Sequence, residues 1–374
     1  MAHSMMYRYD MRALMNKIAD DLADSQHADG AIPTTAPEYT PFEPGSGFED
    51  TPEWGASFIL CPWYTWCWYG DDSALRKHFA EMDRYIAYLG SRARDGILDY
   101  GLGDWYDLGP EHPGKAQLTS VALTATATYH YLLTTMEQIA WHLGREEDAG
   151  RYAATAAQVR KAFHKRFYTG GRTVYEKGSQ TALAMALYMG LVPDDLRART
   201  VDALVRDIES RGYALTSGDV GFRYVVQALQ QSGRSDIIYK MNHNPDIPGY
   251  AWQLKMGATA LTESWQALDD VSNNHLMLGH LMEWLYGGLG GICPDAPDHL
   301  VIDPQMVGDV TWARTSLQTS GGPVRCDWTR SLSDGGWTVE VEIPEGRTAE
   351  IHLPDGRVFN VPPGKYSYSI DKTD

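Results

Sequence analysis

A chain of 374 residues is long enough for about two domains, and 43% hydrophobic residues supply a core without approaching a membrane composition. A formal net charge of −17 excludes the basic face that nucleic acid or an anionic membrane requires, and points to a neutral ligand. Cys61, Cys67, Cys293 and Cys326 have neither CxxC spacing nor the density of a disulfide scaffold, and no stretch of about 18 apolar residues could span a bilayer, so buried thiols are expected and no metal, cofactor or membrane partner.

Met11, Leu14, Met15, Ile18 and Leu22 recur at helical spacing, so a single helix is expected over 5–26. Residues 31–51 are rich in Pro, Gly, Thr and Glu, a loop long enough to be functional more often than idle. Thr51-Pro52-Glu53-Trp54-Gly55 then opens a helix: Thr51 can cap it, Pro52 suits its first turn and Glu53 complements its dipole. Most of the rings that follow (Trp63, Tyr64, Trp66, Trp68, Tyr69) read as core, whereas Trp54, at the mouth, is a candidate ligand contact.

A helical pattern over 73–89 stops at Gly90, and residues 95–116 form a second loop in which Asp104 stands beside Trp105. No regular element demands either residue there. The plainer reading has Asp104 bonding backbone amides of the turn and Trp105 plugging the loop. Tyr129, Leu132, Leu133, Met136, Ala140 and Leu143 share one helix face, and Tyr152, Ala156, Val159, Phe163 and Phe167 share another. Similar runs cover 178–189, 195–211, 219–232 and 235–242, closing on Gly190, Gly212 and Gly233. Helices repeated this often, joined by alternating long and short connections, imply paired layers, and an α/α toroid with its ligand loops on one rim is expected.

Gly257-Ala258-Thr259-Ala260-Leu261-Thr262-Glu263-Ser264-Trp265, followed by Asn273-Asn274-His275, sets one carboxylate among small and hydroxyl residues with an indole and an imidazole close by. Glycoside hydrolysis needs carboxylates to move protons, and sugar rings offer apolar faces to flat aromatics such as Trp265. The plainer reading puts Glu263 at a helix N-terminus. A last helix is expected over 275–289. From about 297 the chain reads as short strands (299–302, 311–319, 324–331, 337–343, 348–353, 366–370) separated by Pro-Gly, Asp-Gly and Gly-Gly turns, a compact antiparallel β domain without a chemical cluster. The expected division is a helical domain over 1–292 and a β domain over 293–374.

Thr51-Pro52-Glu53-Trp54-Gly55, Gly103-Asp104-Trp105, Gly178-Ser179-Gln180-Thr181-Ala182, the stretch ending at Glu263, and Asn274-His275 leading into Glu283-Trp284-Leu285-Tyr286 are each weak signals. In this order and spacing they resemble the bacterial α-L-rhamnosidases, inverting glycoside hydrolases. The resemblance implies a mainly α chain, an (α/α)6 barrel followed by a small antiparallel β-sandwich, acting on a rhamnose-containing glycoside or oligosaccharide. It implies Glu263 as the general base, across the sugar ring from an acid roughly 6.5–9.5 Å away. Trp54 and Trp105 would wall the rhamnose pocket, His275 would bond sugar hydroxyls, and Asp104 would bind or orient the glycone. In the family the general acid belongs to an acidic stretch ending in Gly-Trp, just before the helix with which this chain begins. The acid is therefore expected upstream of Met1, the barrel is expected to be incomplete at its N-terminus, and the chain alone is expected to be weakly active or inactive. Two other readings remain at this point: another glycosidase on the same fold, an uronyl hydrolase or a trehalase-like enzyme, and a non-catalytic rhamnose-binding protein. An uronate site would want basic residues beside Trp54, Trp105 or Glu263, and none is prominent there in the sequence.

Overall fold

Glycines set the turning points of the helical part. The computed structural model describes residues 1–40, 42–331 and 335–371. Its helices are α1 (Ala2–Met6), α2 (Arg12–Asp24), α3 (Pro52–Gly55), α4 (Ser57–Tyr69), α5 (Ser73–Arg92), α6 (Val121–His142), α7 (Glu146–Phe167), α8 (Gln180–Tyr188), α9 (Asp194–Ser210), α10 (Gly221–Gln231), α11 (Ser235–His243) and α12 (Tyr250–Lys255). Short links join α4 to α5, α6 to α7, α8 to α9 and α10 to α11. Each link contains a glycine in the left-handed region (Gly70, Gly144, Gly190, Gly233; φ 70°, 72°, 70° and 67°), where a side chain would be strained. Since each short link folds its helices into a hairpin, the longer connections (25–51, 93–120, 168–179, 211–220 and 256–275) gather on the opposite rim.

Two layers follow from the patterning. Helices α6 and α8 are apolar nearly all round, and α8 buries every residue from Gln180 to Leu187. Helices α7 and α9 bury a single stripe, such as Ala149, Tyr152, Ala156, Val159, Phe163 and Phe167, and turn their charges outward. These are the inner and outer members of helical hairpins.

Three segments differ from the sequence expectation. The helix expected over 5–26 is two, α1 and α2, because the chain turns at 7–11, where the Met11 N–H donates to the Tyr69 hydroxyl (3.0 Å). In α2 the buried residues are Met15, Ala19 and Leu22, while Leu14 is 48% exposed, so the apolar stripe is narrower than the spacing suggested. Helix α10 begins at Gly221 rather than 219, which leaves Asp219 on the preceding loop. The helix expected over 275–289 is broken into a 3₁₀ turn (Leu276–Leu278), α13 (Leu281–Trp284) and a π turn (Leu285–Leu289). Glycine both weakens that last segment and is required in it, since a Cβ at Gly288 would overlap the Trp284 ring.

The C-terminal part contains β1 (Ile292–Ala296), β2 (His299–Ile302), β3 (Trp312–Thr319), β4 (Gly322–Arg330), β5 (Trp337–Ile343), β6 (Thr348–His352), β7 (Val358–Val361) and β8 (Gly364–Ile370). They form two sheets, β1-β2-β6-β7 and β3-β4-β5-β8. Pairing is antiparallel except between β2 and β6, which run parallel, so the small sandwich is antiparallel-rich rather than purely antiparallel. Strands β1 and β7 escape the sequence pattern because Pro294 interrupts the first and the second is only four residues long. Of the expected turn at Asp334-Gly335, Asp334 lies outside the described residues. The sandwich does not stand apart: Met6, Tyr7, Met15 and Trp68 share one apolar cluster with Ile292, Leu300, Val324 and Trp328. Tyr7 donates to the Ile292 carbonyl (2.9 Å) and the Trp328 indole donates to the Leu289 carbonyl (2.8 Å).

Candidate active site

The rim loops are pinned to one another by side chains that the sequence presents as motifs. Asp104 has no exposed surface; its carboxylate accepts from the Gly218 N–H (3.0 Å), the Gly221 N–H (2.7 Å) and the Thr181 hydroxyl. Gln180 donates to the Ala214 carbonyl (2.9 Å) and accepts from the Thr216 N–H (3.1 Å). Trp265 is likewise fully buried; its indole donates to the Ser217 carbonyl (2.7 Å) and its ring meets Phe222 edge-on at 4.7 Å. Neither Asp104 nor Trp265 presents a surface to a sugar in this conformation; both side chains bond the 214–221 loop, which leaves Asp104 able to orient a sugar only through that loop. Asp104 follows the plainer of its two readings, because a buried carboxylate needs several donors to offset its desolvation.

Glu263 is not at a helix N-terminus; it lies in an irregular segment. Its N–H donates to the Ser272 carbonyl (2.9 Å), the Ser272 N–H donates to Glu263 Oε2 (3.2 Å), and the His275 N–H donates to the Leu261 carbonyl (2.8 Å). This short ladder folds 261–263 back on 272–275 and brings His275 Nδ1 to 4.0 Å from Glu263 Oε1. On the other side, His275 Nε2 stands 4.0 Å from Asp219 Oδ2. The imidazole is thus bracketed by two carboxyl groups from different loops.

Beside this row lies a cavity of about 270 Å³, near the small end of ligand pockets, with Glu53, Trp54, Tyr64, Asp219, Arg223 and His280 in its wall. Of the sequence-derived candidates Trp54 lines it directly; Glu263, His275 and Trp105 do not, and Asp219 links the cavity to them. Trp105 is half-buried at the rim, edge-on to Phe48 at 5.2 Å and beside Tyr106 at 5.6 Å, and its carbonyl accepts from the Asp219 N–H (2.8 Å).

The electrostatics are uneven. Burial pushes the Glu53 carboxyl up to about 7 against hydrogen bonds from Thr124 and Thr51. Burial, with Asp104 and Glu263 nearby, pushes Asp219 up to about 8. Burial would raise Glu283 too, but the Arg223 guanidinium, with His280 and His3, holds it well below the usual carboxylate range. Arg223 Nε lies 2.9 Å from Glu283 Oε1, and its guanidinium is flanked by the rings of Tyr64, Tyr188 and Tyr224 at 5.9, 5.2 and 5.8 Å. The sequence had suggested no basic residue near Trp54; the fold brings Arg223 there, but already paired.

Asp219, Arg223 and Glu53 went unassigned in the sequence. A signal for Asp219 existed: it sits in Gly218-Asp219-Val220-Gly221, and both glycines are sterically required. A Cβ at Gly218 would overlap the Trp105 carbonyl, and one at Gly221 would overlap Thr181 and approach the Asp104 carboxylate.

Residues 1–289 match the bacterial alpha-L-rhamnosidase 6 hairpin glycosidase domain, and residues 291–366 match the bacterial alpha-L-rhamnosidase C-terminal domain. An alpha-L-rhamnosidase of Streptomyces avermitilis is 29% identical over 356 residues, 91% of this chain and 33% of that protein. One of an Alteromonas species is 28% identical over 355 residues, 91% of this chain and 38% of its own length. Among solved structures, the alpha-L-rhamnosidase of Dictyoglomus thermophilum superposes with a TM-score of 0.91 at 26% identity, covering 99% of this chain and 45% of that one. The Streptomyces avermitilis enzyme, solved with L-rhamnose, gives 0.88 at 26% identity, covering 99% and 37%. The chain thus spans 33% and 38% of the lengths of these two curated relatives. With a family match extending over residues 1–289 and continuing into the β-sandwich, this chain belongs to the bacterial α-L-rhamnosidase family of glycoside hydrolases.

Proposed function

We propose that this chain carries the sugar-binding cavity and the general base of an enzyme that removes terminal α-L-rhamnosyl residues from glycosides with inversion at the anomeric carbon. The observation that carries the reading is the row Glu263, His275, Asp219, with neighbouring groups 4.0 Å apart, ending in a monosaccharide-sized cavity walled by Trp54. In this reading Glu263 takes a proton from the attacking water. It is suited to that role because a short hydrogen-bonded ladder fixes its backbone while 17% of its side chain remains open to solvent. Trp54 stacks on the apolar face of the sugar, Trp105 with Phe48 forms the outer wall, and His275 binds ring hydroxyls. Asp104 orients the glycone at second hand, by holding the loop that bears Asp219. Inversion requires an acid across the ring, roughly 6.5–9.5 Å from the base. No carboxyl group of this chain is assigned that role, and the chain by itself is expected to hydrolyse rhamnosides weakly or not at all. Arg223 does not favour an uronate, since Glu283 already neutralises it.

Measured on an active form of the enzyme with an aryl α-L-rhamnoside, Glu263→Gln is expected to lower turnover by about 10²- to 10⁴-fold. Proton NMR of the first-formed sugar should show the β anomer. Full activity in the variant, or an α product, defeats the assignment. Robust turnover by the 374-residue chain itself would show that it holds its own acid.

A further inference from the structure

The loop that enters α10 is tethered by bonds to residues distant in sequence. Its Thr216 and Gly218 N–H groups are held by Gln180 and Asp104, its Ser217 carbonyl by Trp265, and its Asp219 N–H by the Trp105 carbonyl. Gly221 is bound by Asp104 again, and side chains at Gly218 and Gly221 are excluded by contact. Three separate parts of the sequence (104–105, 180 and 265) therefore converge on a few residues of backbone. What they hold in place is the Asp219 side chain. It is 3% exposed, it reaches the cavity wall, and its Oδ1 is buried without a hydrogen-bond partner. Leaving a buried carboxyl oxygen unsatisfied is unfavourable, and a hydroxyl brought in by a ligand would relieve it. Oδ2, the other oxygen, only faces His275 from 4.0 Å.

We propose that Asp219 is a substrate-binding residue of this site, whose carboxyl group shares a hydrogen bond with one hydroxyl of the sugar in the cavity. The inference rests on the reading of that cavity as the rhamnose site. It makes Asp219 the point where the cavity, which Trp54 walls, meets the His275–Glu263 pair beyond it. Burial keeps the carboxyl protonated near neutrality, so it can donate as well as accept, and a hydroxyl can meet it in either sense. A preorganised polar group of this kind confers selectivity, because a sugar lacking the matching hydroxyl leaves it unpaired again.

The test is calorimetric titration of the full 374-residue chain with L-rhamnose, alongside thermal unfolding of each variant. Asp219→Asn and Asp219→Ala are expected to weaken binding by 10-fold or more while leaving the melting temperature unchanged or raised. A merely structural role would instead lower the melting temperature along with the affinity. Among the 2-, 3- and 4-deoxy analogues of L-rhamnose, one should bind the unaltered chain weakly and lose nothing further in Asp219→Asn. Trp54→Ala separates the two claims. If Trp54→Ala abolishes binding and both Asp219 variants bind within 2-fold of the unaltered chain, the role of Asp219 is overturned and the cavity stands. If the unaltered chain fails to bind L-rhamnose, or Trp54→Ala binds as well as it does, both fall.

Discussion

At the scale of single residues, the acids on the rim divide by what their oxygens touch. Asp104 spends its oxygens on two backbone N–H groups and the Thr181 hydroxyl, so its work is to fix geometry. Asn in its place would keep one acceptor and turn an amide NH2 towards N–H donors. Asp104→Asn is therefore expected to destabilise the fold by about 2–4 kcal/mol, read from urea denaturation, and to weaken L-rhamnose binding because the 214–221 loop loosens. A variant with unchanged stability would show that the loop has other anchors of equal strength. The acid-beside-indole pattern of Asp104-Trp105 was legible in the sequence as a choice between a sugar contact and a turn bonded to backbone amides. Its division of labour was not, because the partners lie 77 to 117 residues away on α8 and at the start of α10. Trp265 teaches the same point: proximity to Glu263 in sequence suggests a sugar platform, but the ring faces Phe222 and the core.

At the scale of elements, the inner helices close the barrel axis around one cation. Tyr64 of α4, Tyr131 of α6, Tyr188 of α8 and Tyr224 of α10 converge near Arg223, whose charge is met by Glu283 of α13. Helical spacing revealed these helices and their glycine stops, since period and caps are local properties. It did not reveal the axis, because a tyrosine on an apolar helix carries no mark of pointing inward to a charge. Nor did it reveal the breaks at 7–11 and across 276–289, where tertiary packing overrides a continuous apolar period. Breaking the axial pair has a definite cost: Arg223→Met leaves Glu283, 5% exposed, without its counter-charge, which should destabilise the chain by about 3–5 kcal/mol. The double variant Arg223→Met/Glu283→Gln should recover most of that loss in the same urea experiment, since a neutral side chain tolerates burial. No recovery would mean that the ring contacts of the guanidinium matter more than its charge.

At the scale of the whole molecule, the rim concentrates carboxyl groups that the fold keeps protonated, and stability should carry their signature. Burial pushes Glu53 up to about 7; burial, then the nearby Asp104, pushes Asp107 up to about 7; and Asp219 rises to about 8. Unfolded carboxyls titrate near 4, so each raised group binds more protons folded than unfolded between about pH 4 and 8. Their contribution is complete below pH 4 and is lost as pH rises through 7 and 8. Half-buried His3 and buried His130 and His280 act oppositely: desolvation lowers them to about 3, 4 and 4, so their contribution is present above about 6.5 and lost as pH falls below it. The two sets offset each other between about pH 4.5 and 6.5, and above that the carboxyls act against less opposition. Replacing one carboxyl isolates its share from everything else that titrates. Glu53→Gln, compared with the unaltered chain by urea denaturation, should gain on the order of 2–3 kcal/mol in relative stability between pH 5 and pH 8. A difference that stays flat across that interval would mean that Glu53 is already ionised in the folded chain, with a partner on the cavity wall that stabilises its charge.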